Sequence, residues 1–429
     1  MFLVANLLKN SVLFCLWMEF IWQAYLNRRQ FNKVRHTHEL PREIRFVMPP
    51  PIFRVSRDYT LANLDFLLAK SLVSVAFSSA MIQGDYLAYL WNYASKKDPY
   101  GSEIVTSCIW LAALCAFTSL VDFPFDLYRN FILEKSLEMP VLSVKDFLKE
   151  SVSSFIVIEI FSTAIAAAVV VTALFAGRLF FIFLWIMSCI LLSIGTNLSQ
   201  WIGYQSTVSL VEFPQGELRN HIEILCKELD FPLEKIEILP YSRVMEEHSC
   251  VYYYGVFKKS IVISVNILPV AELQDSLDEE EILALVIHQL GHWYKNHDVK
   301  KFCILQTALL MWFLIFVYCF EKKVVYEAFG FHESTPVLVG IMITVQYVML
   351  PYNILTAFTL MSWTRSCEYE ADTFAVQLGM KYEIERALIK IYVVSFEFPV
   401  VDPLYSKHNF YQPSLLERLH NLNKVSANL

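Results

Sequence analysis

The stretch VSSFIVIEIFSTAIAAAVVVTALF, residues 152–175, carries a single charged side chain, Glu159, in 24 positions. A bilayer core takes about 20 mainly apolar residues per helix, and this run meets that length. Six other segments do the same: 3–25, 66–92, 104–127, 179–198, 302–321 and 336–362. The whole chain matches the pattern. Hydrophobic residues make up 56% and charged residues 18% of its 429 positions, against roughly 45–50% and about 25% in an ordinary soluble domain. A single globular core cannot hide that surplus, because cores stop growing at about 250–300 residues. The expected class is therefore mainly α, a polytopic membrane protein with seven transmembrane helices.

The spans divide the chain into 1–203 with five helices, a polar stretch 204–300, the last two helices within 301–364, and a C-terminal segment 365–429. The first span has no basic n-region and no small-x-small cleavage site, so it reads as a retained helix. Arg28, Arg29, Lys33, Arg35, Arg42, Arg45, Arg54 and Arg57 follow it. By the positive-inside rule that loop is cytoplasmic. Seven spans then place the N-terminus in the lumen and both 204–300 and the C-terminus in the cytoplasm. A net charge of −7 leaves no basic footprint for nucleic acid. The nine cysteines form no C-x-x-C pair and read as small apolar packers. Glu159 is costly in lipid and is expected to face a solvated cavity. Pro351-Tyr352-Asn353 reads as a kink whose freed backbone groups need partners.

The stretch 204–300 reads as a small α+β domain. Residues 215–229 place Leu218, Ile222, Leu225 and Leu229 on one helical face. Val251–Phe257 and Ser260–Leu268 read as an antiparallel hairpin about Lys258-Lys259. Ser276 to Glu279 reads as a capping box opening a helix that runs into His288-Gln289-Leu290-Gly291-His292. Histidines four apart share a helical face, so their ring nitrogens can reach one metal ion. Ten histidines in this length give roughly 0.2 such pairs by chance, so spacing alone leaves a pair of ordinary core or surface histidines open. A third donor is available in Glu368 or Asp372, also four apart: one could ligate while the other orients a histidine, or both could form a plain acidic face.

With those strings in view the chain resembles the type I CAAX prenyl endopeptidases, seven-span membrane zinc metalloproteases. Carrying the resemblance are Glu280-Glu281-Ile282-Leu283-Ala284-Leu285, His288-x-Leu290-Gly291-His292-Trp293, Ala328-Phe329-Gly330-Phe331, Pro351-Tyr352-Asn353, Glu368-Tyr369-x-Ala371-Asp372-x-Phe374-Ala375 and Leu415-Leu416-Glu417-Arg418-Leu419. Tyr252-Tyr253-Tyr254-Gly255-x-Phe257-Lys258 and Leu127-Tyr128 also fit. The resemblance implies that the seven helices enclose a chamber capped by the cytoplasmic zinc-protease-like domain. It implies one zinc ion on His288, His292 and Glu368, with Asp372 behind a histidine and Arg418 on the substrate or oxyanion side. It further implies that Val251, Tyr252, Tyr253, Tyr254 and Gly255 pair with an extended substrate. The implied substrate is the C-terminal tripeptide of a farnesylated CAAX protein. The implied setting is the endoplasmic reticulum membrane, with the inner nuclear membrane as a further location.

The departures bear on activity. Gln289 stands where the family has a glutamate that takes a proton from the attacking water and later hands it to the leaving amine. An amide cannot accept that proton near neutral pH, and hydrolysis is expected to fall by about 10²–10⁴-fold or more. Cys250 replaces an asparagine and Gln412 a histidine that position substrate in the family. The family's Glu-Glu-Lys-His-Gly-Phe-Asn run has become Leu133 to Met139. Altered positions at 289, 250 and 412 together favour divergence over a single designed change. Two readings stay open, an impaired protease and an inactive paralogue that binds prenylated or hydrophobic tails. A transporter is weaker, because inverted repeats are absent.

Overall fold

The computed structural model describes residues 2–135, 142–176, 181–190, 210–239, 251–255, 258–268, 277–394 and 398–428. In chain order the first helices are α1 (Phe2–His36), α2 (Pro50–Gln83), α3 (Tyr86–Lys97), α4 (Glu103–Tyr128, prolonged by a π turn at Arg129–Glu134), α5 (Val144–Ala176) and α6 (Phe181–Ile190). There follow β1 (Val211–Glu212), α7 (Glu217–Glu228), β2 (Leu233–Leu239), β3 (Val251–Tyr254), β4 (Lys259–Ser264) and α8 (Glu279–Tyr294). The chain ends with α9 (His297–Phe320), α10 (Lys323–Ala328), α11 (Val337–Ile343, with a π turn at Thr344–Val348), α12 (Leu350–Gln377), α13 (Lys381–Val394), α14 (Pro403–Asn409) and α15 (Leu415–Ser426). Two compact units result: one of residues 1–31, 58–186 and 308–356, the other of 32–57, 187–307 and 357–429.

The first unit is helical and apolar. Helices α1, α2, α4, α5 and α9 are each long and apolar enough to cross a bilayer, and α11 with α12 adds a sixth if that pair, bent by 57°, is one span. α6 falls in the expected span 179–198, most of which lies outside the described residues, as does the Asn197-Leu198-Ser199 sequon. The described residues thus carry five of the seven expected spans, a sixth if the bent pair is one span, and part of the seventh. On α5 the side chains of Ile156, Ile158, Ile160, Phe161 and Ile165 are exposed. No soluble helix would leave such a set in water. The unit's own core gathers Trp91, Trp110, Ile82, Phe329, Val339 and Ile343.

The expected second span, 66–92, is corrected. It is two helices, because Gly84 is a poor helix former and Asp85 takes a left-handed φ of 52°. The Asp85 carboxylate accepts from Lys9 Nζ at 2.8 Å. α3 then buries Leu87, Ala88, Trp91 and Ala94 and leaves Tyr86, Tyr89 and Tyr93 exposed. The expected kink does occur, with the break just ahead of Pro351, at the π turn. Its partners are local: Asn353 Nδ2 donates to Val345 O at 3.2 Å, Trp312 Nε1 donates to Asn353 Oδ1 at 3.1 Å, and Tyr352 OH donates to Ala308 O at 2.6 Å. Pro351 sits in the first turn of α12, where its missing N–H is harmless. A cavity of about 290 Å³ in this unit is lined by both apolar and polar groups, among them Lys70, Trp110, Asp122, Gln346 and Tyr347. Glu159 is half-buried on α5 and is not among the residues that line this cavity; Thr163 Oγ1 donates to its Oε1 at 3.5 Å.

The second unit holds a four-stranded sheet in the order β1-β2-β4-β3. The foreseen hairpin is present, β3 antiparallel to β4 with Val251 opposite Ile263 and Tyr254 opposite Ser260. β4 runs parallel to β2, with Ile238 opposite Ile263. β2 was not foreseen: its sequence LEKIEIL has three charged residues, and the burial falls chiefly on Ile236 and Leu239. α7 buries Leu218 and Ile222 as its periodicity requires. α8 opens at Asp278 rather than Ser276, which lies outside the described residues. Asp278 and Glu281 make a reciprocal capping box. Glu281 is buried and also takes Lys390 Nζ at 2.7 Å and Arg386 Nε at 3.3 Å. That pairing fixes the start of α8 against α13.

Candidate metal centre

α8 presents His288 and His292 one turn apart, and α12 presents Glu368 and Asp372 one turn apart. The helices approach closely because residue 291 is glycine. A Cβ there would stand 3.0 Å from Phe374 Cδ1 and 3.2 Å from Phe374 Cβ. The facing donors then converge. His288 Nε2 and His292 Nε2 are 3.3 Å apart, His288 Nε2 is 3.5 Å from Glu368 Oε2, and His292 Nε2 is 3.6 Å from Glu368 Oε1. Among the described residues this is the only group of three metal-ligating side chains that gathers about one point. Tetrahedral donors each about 2.0–2.2 Å from zinc stand about 3.3–3.6 Å from one another. The three separations fit that figure, and two neutral nitrogens and one carboxylate suit a borderline-soft divalent ion.

The far side of each histidine is also occupied. His288 Nδ1 lies 3.0 Å from Asp372 Oδ1, so Asp372, fully buried, accepts its proton and leaves the Nε2 lone pair for the ion. Arg418 on α15 grips the same carboxylate twice, Nε to Oδ2 at 2.9 Å and Nη2 to Oδ1 at 2.6 Å. Its Nη1 stands 3.9 Å from Glu368. The structure therefore places Arg418 behind the ligand set, with its fork spent on Asp372. Arg365 secures the neighbouring residue, donating through Nη2 to both Glu417 oxygens at 3.0 Å and through Nη1 to Gln412 O at 3.0 Å. Burial, aided by the nearby His288, pushes the His292 ring down to about 3. Burial also pulls His288 down, but hydrogen bonds to Asp372 and Glu368 outweigh it and its value is raised.

Gln289 sits on α8 between His288 and His292 and is half-buried. Gln412 is exposed on the loop before α15, held by its backbone oxygen rather than its side chain. Cys250 lies outside the described residues. The strand 251–254 is an edge of the sheet: among the described residues nothing pairs with its outer side. It is fastened beside the site through Phe231, whose ring packs on Tyr253 at 5.9 Å and on Trp293, the neighbour of His292, at 5.1 Å. Tyr253 OH donates to Asp298 and Tyr254 OH to Glu237 at 2.6 Å. Gly255 has φ 112° and lies against the Lys258 carbonyl, a turn only glycine makes without strain. His297 stands directly behind His292. No helical spacing signals this, because the chain turns at Asn296, φ 54°, to bring it back.

The family model described as peptidase family M48 matches residues 212–426, and that described as the CAAX prenyl protease N-terminal region with five membrane helices matches 30–200. The chain belongs to the CAAX prenyl proteases of family M48. Among curated relatives it is 29% identical to the human CAAX prenyl protease 1 homolog, over 97% of this chain and 95% of that protein. It is 27% identical to CAAX prenyl protease 1 of Saccharomyces cerevisiae, over 95% and 93%. Its fold matches the crystal structure of S. mikatae Ste24p with a TM-score of 0.79 at 24% identity, over 97% and 99% of the two chains. Family membership makes this a multi-pass membrane protein of metalloprotease type. Family M48 implies a metal, and the His288-His292-Glu368 cluster could hold one.

Proposed function

We propose that the chain is a zinc metalloendopeptidase-type protein that takes prenylated CAAX-type C-termini, farnesylated ones above all, and whose hydrolysis is impaired by Gln289. The observation that carries the reading is the convergence of His288, His292 and Glu368 with an amide at 289 on the same helix. Zinc held by these three side chains would supply Lewis acidity at the point of cleavage. The chain's own residues do the rest. Asp372 keeps a proton at His288 Nδ1, Arg418 holds Asp372, and β3, the edge strand of the described sheet, would take an extended peptide backbone by strand addition. What is missing is a base. Gln289 can hydrogen-bond a water but cannot take its proton near neutral pH. We place the protein in the endoplasmic reticulum or inner nuclear membrane, with its N-terminus lumenal and the metal centre cytoplasmic.

The same residue favours a second reading, an inactive relative that binds prenylated tails without cutting them. One experiment separates the two. Native protein and Gln289→Glu are compared on a farnesylated C-terminal peptide, with zinc measured on both. Expected is weak metal-dependent turnover by the native chain, raised about 10²–10⁴-fold in Gln289→Glu. Equal turnover by both forms would mean another group is the base. No turnover by either, with zinc on both, would leave peptide binding as the function.

A further inference from the structure

His297 is buried, 4% exposed, at the first position of α9. Its Nδ1 lies 3.0 Å from His292 Nδ1 and its Nε2 lies 3.2 Å from Glu370 Oε2. The two imidazoles meet at 73° with centroids 5.1 Å apart, and the His297 ring meets the edge of Trp363 at 6.4 Å. Hydrogen-bond logic fixes the roles. Glu370 accepts, so His297 carries its proton on Nε2 and offers a lone pair at Nδ1. That lone pair accepts the proton of His292 Nδ1, which leaves His292 Nε2 bare and aimed at His288 Nε2 and Glu368. The backbone is built for this arrangement. α8 ends at Tyr294, Asn296 N–H donates back to Trp293 O at 2.8 Å, and the left-handed Asn296 turns the chain so that residue 297 faces residue 292.

We infer that His297, braced by Glu370, is a positioning residue that sets the tautomer and tilt of His292 as Asp372 does for His288. The inference rests on the metal-centre reading above. It makes the two histidine ligands unequal: one is backed by a carboxylate gripped by arginine, the other by a neutral imidazole tied to a half-exposed carboxylate. His292 is then the ligand whose hold on the ion is tuned from outside the ligand set.

The test measures zinc affinity by chelator competition and the visible spectrum of the cobalt-substituted protein, on the full chain in detergent. His297→Ala is expected to lose about 10–100-fold in affinity and to shift the cobalt bands, as loss of a hydrogen-bond partner behind a metal ligand does. His297→Gln, whose amide oxygen can accept from His292 while its NH₂ donates to Glu370, is expected to recover most of that loss. Glu370→Ala, a change at a half-exposed site that leaves the fold intact, is expected to cost several-fold. A purely packing role would give His297→Gln no advantage over His297→Ala and leave the cobalt bands in place, which overturns the inference. Native protein that binds no zinc would instead sink the metal-centre reading itself.

Discussion

Replacing Asp372 by asparagine tests how the site is held together. Asp372 is fully buried and accepts three hydrogen bonds, one from His288 Nδ1 at 3.0 Å and two from Arg418 at 2.9 and 2.6 Å. Asparagine keeps the shape, removes the charge, and turns one acceptor into a donor facing another donor. Arg418, only 12% exposed, is left without its counter-charge. Breaking one side of a buried pair costs about 3–5 kcal/mol. Glu368, 3.9 Å from Arg418 Nη1, takes up part of the charge, which favours the low end, about 3 kcal/mol. Zinc affinity should fall separately, by about 10–100-fold, because His288 loses the carboxylate that orients it. Chemical denaturation of the metal-free protein and chelator competition read the two effects apart. The double variant Asp372→Asn/Arg418→Gln removes the stranded cation, so it should regain at least half the stability while zinc affinity stays low. A single variant within about 0.5 kcal/mol of native, or a double variant no more stable than the single, would refute this reasoning.

Stripping the metal with a chelator should lower the unfolding temperature of the native protein and leave that of His288→Ala unmoved. Zinc at a thousand times its dissociation constant is worth about 4 kcal/mol, and differential scanning fluorimetry reads the shift. Glu417→Gln should destabilise the second unit by about 1–3 kcal/mol near neutral pH. Burial alone would raise the Glu417 carboxyl, but hydrogen bonds from Ser406 and Ser414 and the charge of Arg365 hold it below its ordinary 4.5. A carboxyl lowered on folding stabilises above the unfolded value and loses that contribution as pH falls through the folded one. The gap between native and Glu417→Gln in a pH series of denaturation should therefore close below about pH 4.5. Gly291→Ala should push α8 off Phe374 and cost about 1–3 kcal/mol through overpacking, despite alanine's better helix propensity, with zinc affinity falling in parallel.

The membrane class and the two candidate donor pairs were readable because each rests on a regular spacing, while the choice of His288, His292 and Glu368 as a ligand set came from the family resemblance. Apolar runs near 20 residues leave one reading for α4, α5 and α9, and the four-residue spacings of His288 with His292 and of Glu368 with Asp372 place each pair on one face. Non-helical events were not readable. The break at Gly84-Asp85 fell inside an apolar window, where hydropathy is blind to a left-handed residue. β2 was hidden because its charged residues project from a strand held by backbone pairing with β4. His297 was hidden because Asn296 brings it back to His292 through a turn. Arg418 was seen, but its partner was not, since no spacing links α15 to α12. The pairings of Arg418 with Asp372 and of His297 with His292 therefore came only from the fold.

The most direct test of the metal centre is the metal content of the purified full chain, counted per polypeptide by mass spectrometry. One zinc is expected in the native protein and in Gln289→Glu, and close to none in His288→Ala or Glu368→Ala. Native protein that purifies without metal and takes up none from a zinc buffer would contradict the account at its centre.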